Sequence, residues 1–431
     1  MITTKEDIIQ HFQRGIKNKD NFKIGVEHEK FIFNKSRKRA DFQTINKIFD
    51  LLKNFGWRPI FEENNIIALK KKDCQITLEP GNQIELSGAQ LNSIHLACEE
   101  SYRFLSELKQ ACESLDLKMM SVGYDPFSTL QNVSKTPKQR YEVMTEVMPK
   151  NGKLSLEMMY QTCGTQINLD YTSEKNFIKK FKLSSFLVPL SVAIFANSPI
   201  KENKSTGYFS YRSKVWQHTS RAGLPRIFLE EMDFEKYTDM AINMPLLFIL
   251  KDTKYVNATG NTFKDFMEGK IDILKNKKPT IQDFKNHLST IFTEIRLKQY
   301  IEIRSLDTCE WDCHCGGPAL YMGLLYANLD EALEIVNEWS ITDVLNAYAK
   351  APKDGLNTVI HSKTLLEWGK IFLQLSKEGL QKRSIKNKGG SDESIFLRSI
   401  ENILINNETK AENSIKKFEK GNSLEFLYDK T

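Results

Sequence analysis

The stretch Ile24-Gly25-Val26-Glu27-His28-Glu29-Lys30-Phe31 decides the reading of this chain. Apolar and polar residues alternate along it, as in a half-buried strand, here expected over residues 23–33. Side chains two apart on a strand share a face, so Glu27 and Glu29 project together about 7 Å apart, while His28 points to the opposite face as a structural residue. Two like charges side by side on a strand are unfavourable unless something cationic sits over them.

Three other stretches repeat the pattern. Residues 75–87 read as extended chain, with Ile76, Leu78, Ile84 and Leu86 alternating with polar residues around the turn Pro80-Gly81-Asn82, and with Glu79 and Glu85 on either side of it. In Tyr300-Ile301-Glu302-Ile303-Arg304 one face carries Tyr300, Glu302 and Arg304 and the other Ile301 and Ile303. Thr165-Gln166-Ile167-Asn168-Leu169-Asp170 sorts Gln166, Asn168 and Asp170 the same way. Strands with one oily face and one face of carboxylates, amides and Arg make a concave polar sheet with a packed back. Oxygen-rich sites of that kind suit Mg2+ or Mn2+ rather than zinc. Their natural use is to bridge ATP phosphates, with Arg304, Arg212 and Lys298 as candidates to neutralise anions.

Around these strands, Thr3-x-x-Glu6 predicts a capping box, Ile45 to Phe55 a helix stopped by Gly56, and Leu91 to Leu115 a helix whose inner stripe includes Cys98, Tyr102 and Cys112. Further strands are expected at 163–170, 207–213, 246–250 and 299–305. The chain lacks a regular βαβ alternation, a GxGxxG loop and a GxxxxGK[ST] loop. The expected class is therefore α+β, a curved, mainly antiparallel sheet cradle with flanking helices. With no Ser/Gly-rich or Pro-rich linker, residues 1–431 are expected to form a single catalytic domain, of which 318–431 is the mostly helical C-terminal part.

The 431 residues are 40% hydrophobic, enough for a core without metals or disulfides, and 61 basic against 55 acidic side chains give +6, too weak a charge to imply nucleic acid. Lys70-Lys71-Lys72 and Lys275-Asn276-Lys277-Lys278 read as solvated loops. The apolar run Leu183 to Ala196 contains Pro189 and falls short of the roughly 20 residues that cross a bilayer, so no membrane partner is expected. The N-terminal Met1-Ile2-Thr3-Thr4-Lys5-Glu6-Asp7 has neither an apolar core nor transit character, and a cytoplasmic address is expected. Seven irregularly spaced cysteines are expected to be reduced thiols, including the cluster Cys309-x-x-x-Cys313-His314-Cys315, which no second Cys pair accompanies to make a zinc site.

Lys23 to Lys30, Leu78-Glu79-Pro80-Gly81-Asn82-Gln83-Ile84-Glu85-Leu86-Ser87-Gly88, Met148-Pro149-Lys150, Gln166 to Asp170, Phe195-Ala196-Asn197-Ser198-Pro199, Arg212-Ser213-x-x-Trp216 and Glu294-x-Arg296-Leu297-Lys298-x-Tyr300-x-Glu302-x-Arg304 occur in this order. With these blocks the chain resembles the plant-type, also proteobacterial, glutamate–cysteine ligases, from about Asp20 to Leu427-Tyr428. The resemblance implies the ATP-dependent first step of glutathione synthesis, joining L-glutamate to L-cysteine through a γ-glutamyl phosphate, on a fold similar to the glutamine synthetase catalytic domain. It also implies site roles. Glu27, Glu29, Glu79, Glu85 and Glu302 look like magnesium ligands, with Gln166 at a position where related ligases can carry His. Arg304, with Glu302, would stabilise the transferring phosphoryl group. Arg140, Arg212 and Trp216 look like the glutamate-binding set, and Arg296 and Lys298 like ATP phosphate contacts. Plant members are regulated through disulfides. Cys315 matches one such cysteine, but the expected partner position is Ala258.

Two other readings stay open at this level. One is a carboxylate–amine ligase joining glutamate to a different amine. The other is an inactive relative that binds a metal or partner through the Cys309 to Cys315 loop, against which the intact Glu27, Glu29, Glu302 and Arg304 argue.

Overall fold

The computed structural model describes residues 1–251, 254–274 and 277–430, so Lys275 and Asn276 of the second lysine run lie outside it. Nine strands form the main sheet: β1 Ile24–Asn34, β2 Arg58–Glu62, β3 Asn65–Lys71, β4 Cys74–Leu78, β5 Ile84–Ser87, β6 Leu117–Met120, β7 Gly164–Leu169, β8 Ile295–Leu297 and β9 Ile301–Asp307. Their order is β8-β9-β7-β1-β5-β4-β3-β2, every neighbour antiparallel, with β6 pairing the far half of β1. This is the expected α+β class.

Strand alternation sorts the two faces as expected. Behind the sheet, Ile24, Val26, Ile167, Leu169, Ile301 and Ile303 are buried against helices Glu174–Phe186, Val188–Ile194, Gly316–Tyr326 and Leu365–Arg383. The last two helices cross at glycines: a Cβ on Gly323 would lie 2.3 Å from the Ser376 carbonyl oxygen, so only glycine permits the approach. Ile76, Leu78, Ile84 and Leu86 pack instead on helices Phe42–Leu52 and Ile94–Glu113. The β4–β5 turn closes with Asn82 at φ +61°, a conformation Asn tolerates better than most residues.

Several expectations are corrected. Residues 207–213 hold no strand. The helix Tyr211–Trp216 starts there instead, because the Ser210 hydroxyl caps it by accepting from the Ser213 N–H at 3.1 Å. The first capping box is Thr4 with Asp7, one residue later than expected. Tyr102 faces solvent at 61% exposure, although Cys98 and Cys112 beside it are buried. The strand near 246–250 is Phe248–Lys251, in a separate hairpin with Lys254–Asn257. The cysteines are not all reduced: Cys98 pairs with Cys315 and Cys309 with Cys313, leaving Cys74, Cys112 and Cys163 as thiols. A pairing across 217 residues leaves no local trace in sequence, and Cys315 takes Cys98 rather than a partner at the Ala258 position. Among the described residues no helix is long and apolar enough to cross a membrane.

Candidate active site

Register brings the predicted acids together on the front of the sheet. Glu29 stands opposite Glu85, Glu27 opposite Gln166, and Glu302 opposite Asn168, while Arg296 on the next strand faces Glu302. Strand β9 then slips against β7 between Ile303 and Leu306, a bulge that sets the stretch carrying Arg304 out of the regular ladder.

The carboxylates divide into two electrostatic environments. Glu302 is fully buried. The Arg296 Nε and Nη2 fork both its oxygens, and Lys298 Nζ lies 3.1 Å and Arg304 Nη1 3.4 Å away. Burial alone would push its carboxyl up, but these three cations hold it well below the usual range. Glu27, Glu29 and Glu85 are the opposite case. Burial first, then the repulsion of Glu85 and Glu302, pushes Glu27 up to about 7; burial, then Glu85 and Glu79, pushes Glu29 up to about 8; Glu85 rises by burial and Glu79. Amides and hydroxyls are what they bond: Gln166 Nε2 to Glu29 at 3.0 Å, Asn168 Nδ2 to Glu27 at 2.8 Å, and Thr77 and Ser87 to Glu85 at 2.8 and 2.7 Å.

An all-oxygen donor set whose charge is left over after hydrogen bonding is the chemistry that suits a hard divalent cation. Glu27, Glu29, Glu79 and Glu85 therefore fit magnesium or manganese, with Gln166 beside them, whereas Glu302, expected in the same set, has both oxygens taken by Arg296, Lys298 and Arg304. Among the described residues no three acidic, His or Cys side chains stand close enough together to hold a metal ion as they are placed.

Three of the predicted cations, Arg140, Arg296 and Arg304, line the same place, while Arg212 and Lys298 stand behind it. A cavity of about 180 Å³ is bordered by Glu27, Glu29, Glu79, Glu85 and Gln166, and by Arg140, Trp216, Arg296 and Arg304. Arg304 Nη1 donates to Gln166 Oε1 at 2.5 Å, so one amide ties the guanidinium to the acids. Arg212 and Trp216 lie one helical turn apart, and the Arg212 guanidinium covers the indole at 4.6 Å with Arg304 5.4 Å from the same ring. Arg212 donates to the Arg304 carbonyl at 2.9 Å; its Nε and Nη1 make no hydrogen bond, and Nη1 lies 3.9 Å from the buried Asp307 carboxylate. Arg140 Nη2 donates to Ser289 Oγ at 3.0 Å and its Nε is free. Arg296 is placed differently from a phosphate contact: beyond Glu302, its Nη1 points at the carbonyls of Leu288, Ser289 and Ile291, so most of its donors are engaged within the protein. Lys298 is the more open of the pair.

Sequence patterns did not single out Met144, Met158, Met159 and Phe292, which form the apolar wall of the cavity, because the methionines have the spacing of ordinary core helices and Phe292 lies in a two-residue strand. A second cavity, of about 220 Å³, runs along the sheet past Lys23, Asn168, Asp170 and Tyr300, and Glu27 lines it too. His28 points away from both, its ring stacked on His314, as a structural residue.

Comparison with known proteins matches residues 23–429 to the family model described as glutamate–cysteine ligase family 2. The chain is similar to glutamate–cysteine ligase B, chloroplastic, of Oryza sativa subsp. japonica, at 39% identity over 96% of this chain and 84% of that protein. It is likewise similar to glutamate–cysteine ligase, chloroplastic, of Arabidopsis thaliana, at 36% over 99% and 82%. Its fold is shared with a crystal structure of glutamate–cysteine ligase from Francisella tularensis in complex with AMP, with a TM-score of 0.54 at 12% identity over 96% of this chain and 87% of that one. The expected cytoplasmic address is overturned by the plant relatives, which are named chloroplastic. That expectation rested on N-terminal composition alone.

Proposed function

The chain belongs to glutamate–cysteine ligase family 2, and from that membership we propose how its residues make γ-glutamylcysteine from L-glutamate, L-cysteine and ATP, the first step of glutathione synthesis. The observation that supports the reading is that Glu27 lines both cavities. The basin with Arg140, Trp216 and Arg304 receives the amino acids, and the trough with Lys23, Asn168, Asp170 and Tyr300 receives the nucleotide. The ridge of carboxylates then stands where the γ-carboxylate of glutamate meets the γ-phosphate.

A γ-carboxylate is a poor electrophile. It attacks the γ-phosphorus of ATP, the bond to the bridging oxygen of ADP breaks, and the acyl phosphate is then attacked by the amine of cysteine with loss of phosphate. No protein nucleophile is needed, so positioning and charge neutralisation carry the catalysis. Arg212 and Arg140 offer free guanidinium N–H groups to the α-carboxylate of glutamate. Arg304, steadied by Gln166, meets the charge developing on the transferred phosphoryl group, while Lys298 leans toward the nucleotide phosphates and Arg296 keeps Glu302 in place. Glu27, Glu29, Glu79 and Glu85 would hold Mg2+ or Mn2+, which when bound supplies Lewis-acid neutralisation of phosphate charge. Residues 1–431 act as one catalytic domain, in which the mostly helical part from 318 onward supplies most of helix Gly316–Tyr326 and helix Leu365–Arg383 behind the sheet.

The test is ADP release measured with glutamate, with cysteine, with both, and with a panel of other amines replacing cysteine. Release that needs both amino acids supports the reading. Equal turnover with unrelated amines, or none with cysteine, overturns it.

A further inference from the structure

Glu294 lies between Thr293 and strand β8, fully buried, and its backbone is fixed on both sides: its N–H donates to the Gly223 carbonyl at 2.9 Å and its carbonyl accepts from the Arg304 N–H at 2.8 Å. One side-chain oxygen accepts from the Tyr348 hydroxyl at 2.7 Å, and the other has no partner. A buried carboxylate oxygen left unpaired is costly and calls for a role. The charges that act on it are the guanidiniums of Arg212 and Arg304, whose Nε atoms make no hydrogen bond, and the carboxylate of Asp307, which lies 3.9 Å from Arg212 Nη1. Burial pushes the Glu294 carboxyl up, and the charges of Arg212 and Arg304, with the Tyr348 hydrogen bond between them in weight, pull it back.

Tyr348 makes a second contact that bears on the same groups. Its carbonyl accepts from Gln217 Nε2 at 2.6 Å, and Gln217 follows directly on the helix that carries Arg212 and Trp216. The end of the Tyr348 helix, Ile341–Asp354, also holds the start of that short helix, since the Pro352 carbonyl accepts from the N–H groups of Phe209 and Ser210 at 2.8 and 3.0 Å. One helix from the C-terminal part thus grips both ends of the Arg212 helix and, through its one tyrosine hydroxyl, the carboxylate behind the guanidiniums.

We propose that Glu294, held by Tyr348, is a positioning residue that fixes the Arg212–Trp216–Arg304 stack in the arrangement that receives the carboxylate of glutamate. The inference rests on the ligase reading above and adds to it a carboxylate that touches no substrate. With Glu294 in place the two guanidiniums lie in one geometry before substrate arrives. Without it Arg212 keeps only Asp307 and Arg304 only Glu302 as countercharge, and the two guanidiniums lose the carboxylate they share.

The test uses Glu294→Gln, Glu294→Asp and Tyr348→Phe in the full chain, with kcat and KM for each substrate and L-glutamate affinity by calorimetry in the presence of a non-hydrolysable ATP analogue. Glu294→Gln should raise the glutamate KM about tenfold or more while the ATP KM stays within twofold, Glu294→Asp should restore part of the loss, and Tyr348→Phe should move in the same direction by less. Glutamate affinity and KM unchanged in Glu294→Gln and Tyr348→Phe would overturn the proposal. So would equal rises in the KM of all three substrates, which mark a merely structural role. A wild-type chain that releases no ADP overturns the ligase reading instead, and calorimetry still decides whether Glu294 governs glutamate binding.

Discussion

Glu29 faces Glu85 directly across the antiparallel β1–β5 ladder, and the amide nitrogen of Gln166 stands 3.0 Å from one and 3.4 Å from the other. Like charges in register repel, and a neutral amide offsets that only in part. The site is therefore arranged at the expense of the apo protein's stability, in favour of what binds there.

A pH dependence follows. Glu27 and Glu29 hold their protons to about 7 and about 8, well above the 4.5 of an open glutamate. Between those values the unfolded chain has released protons that the folded chain still binds, so metal-free stability falls as pH rises from 4.5 toward 8. Divalent cation competes with the same protons. The melting temperature without metal should be lower at pH 8.5 than at pH 6, and Mg2+ should raise it by several degrees more at pH 8.5. A magnesium effect that is flat with pH would contradict the assignment of these two acids.

Arg304 touches Glu302 and Gln166, but Glu302 keeps Arg296 and Lys298 when Arg304 is removed. Arg304→Ala should therefore lower kcat by about a hundredfold, roughly 3 kcal/mol of transition-state stabilisation, with a melting temperature close to wild type. Steady-state kinetics beside a thermal melt checks both halves.

Removing the amide that joins Arg304 to the acids should cost less than removing the guanidinium. Gln166→Ala leaves Arg304 held only by Glu302 and Trp216 and Glu29 without its 3.0 Å donor, and a fall in kcat of about tenfold is expected. An unchanged kcat would place the orienting interaction elsewhere.

Arg296 and Lys298 should separate cleanly, though two positions apart. Arg296→Lys loses the two-pronged contact to buried Glu302 and the contacts to the carbonyls of Leu288, Ser289 and Ile291, and should destabilise the fold by about 3 kcal/mol in denaturant titration. Lys298→Ala removes a more open ammonium and should raise the ATP KM with little change in stability. The reverse result would return Arg296 to the phosphates.

What could be read beforehand was whatever depends on near neighbours in the chain. Alternation over five to eight residues put Glu27 with Glu29, Gln166 with Asn168, and Glu302 with Arg304 on one face, and the structure keeps all three pairs there. Phe209, Tyr208 and Tyr211 favour a strand by composition, yet Ser210 caps a helix, because a side-chain oxygen that meets an orphan N–H outweighs a weak propensity. Contacts across distance were hidden. Cys98 reaches Cys315, Tyr348 reaches Glu294, and Arg296 turns inward to Glu302 rather than outward to a ligand. Residue type fixed the charge of Arg296 but not what stood in front of it.

Glu27 forms part of the wall of both cavities, and this has a thermodynamic corollary. On the proposed reading the amino acid and the nucleotide both meet that one carboxylate, which gives their binding a route for coupling. By linkage, whatever factor nucleotide imposes on the affinity for the amino acid, the amino acid must impose in return. A side chain shared by neighbouring chambers is, on that reading, the point through which one substrate would inform the other before any bond is made.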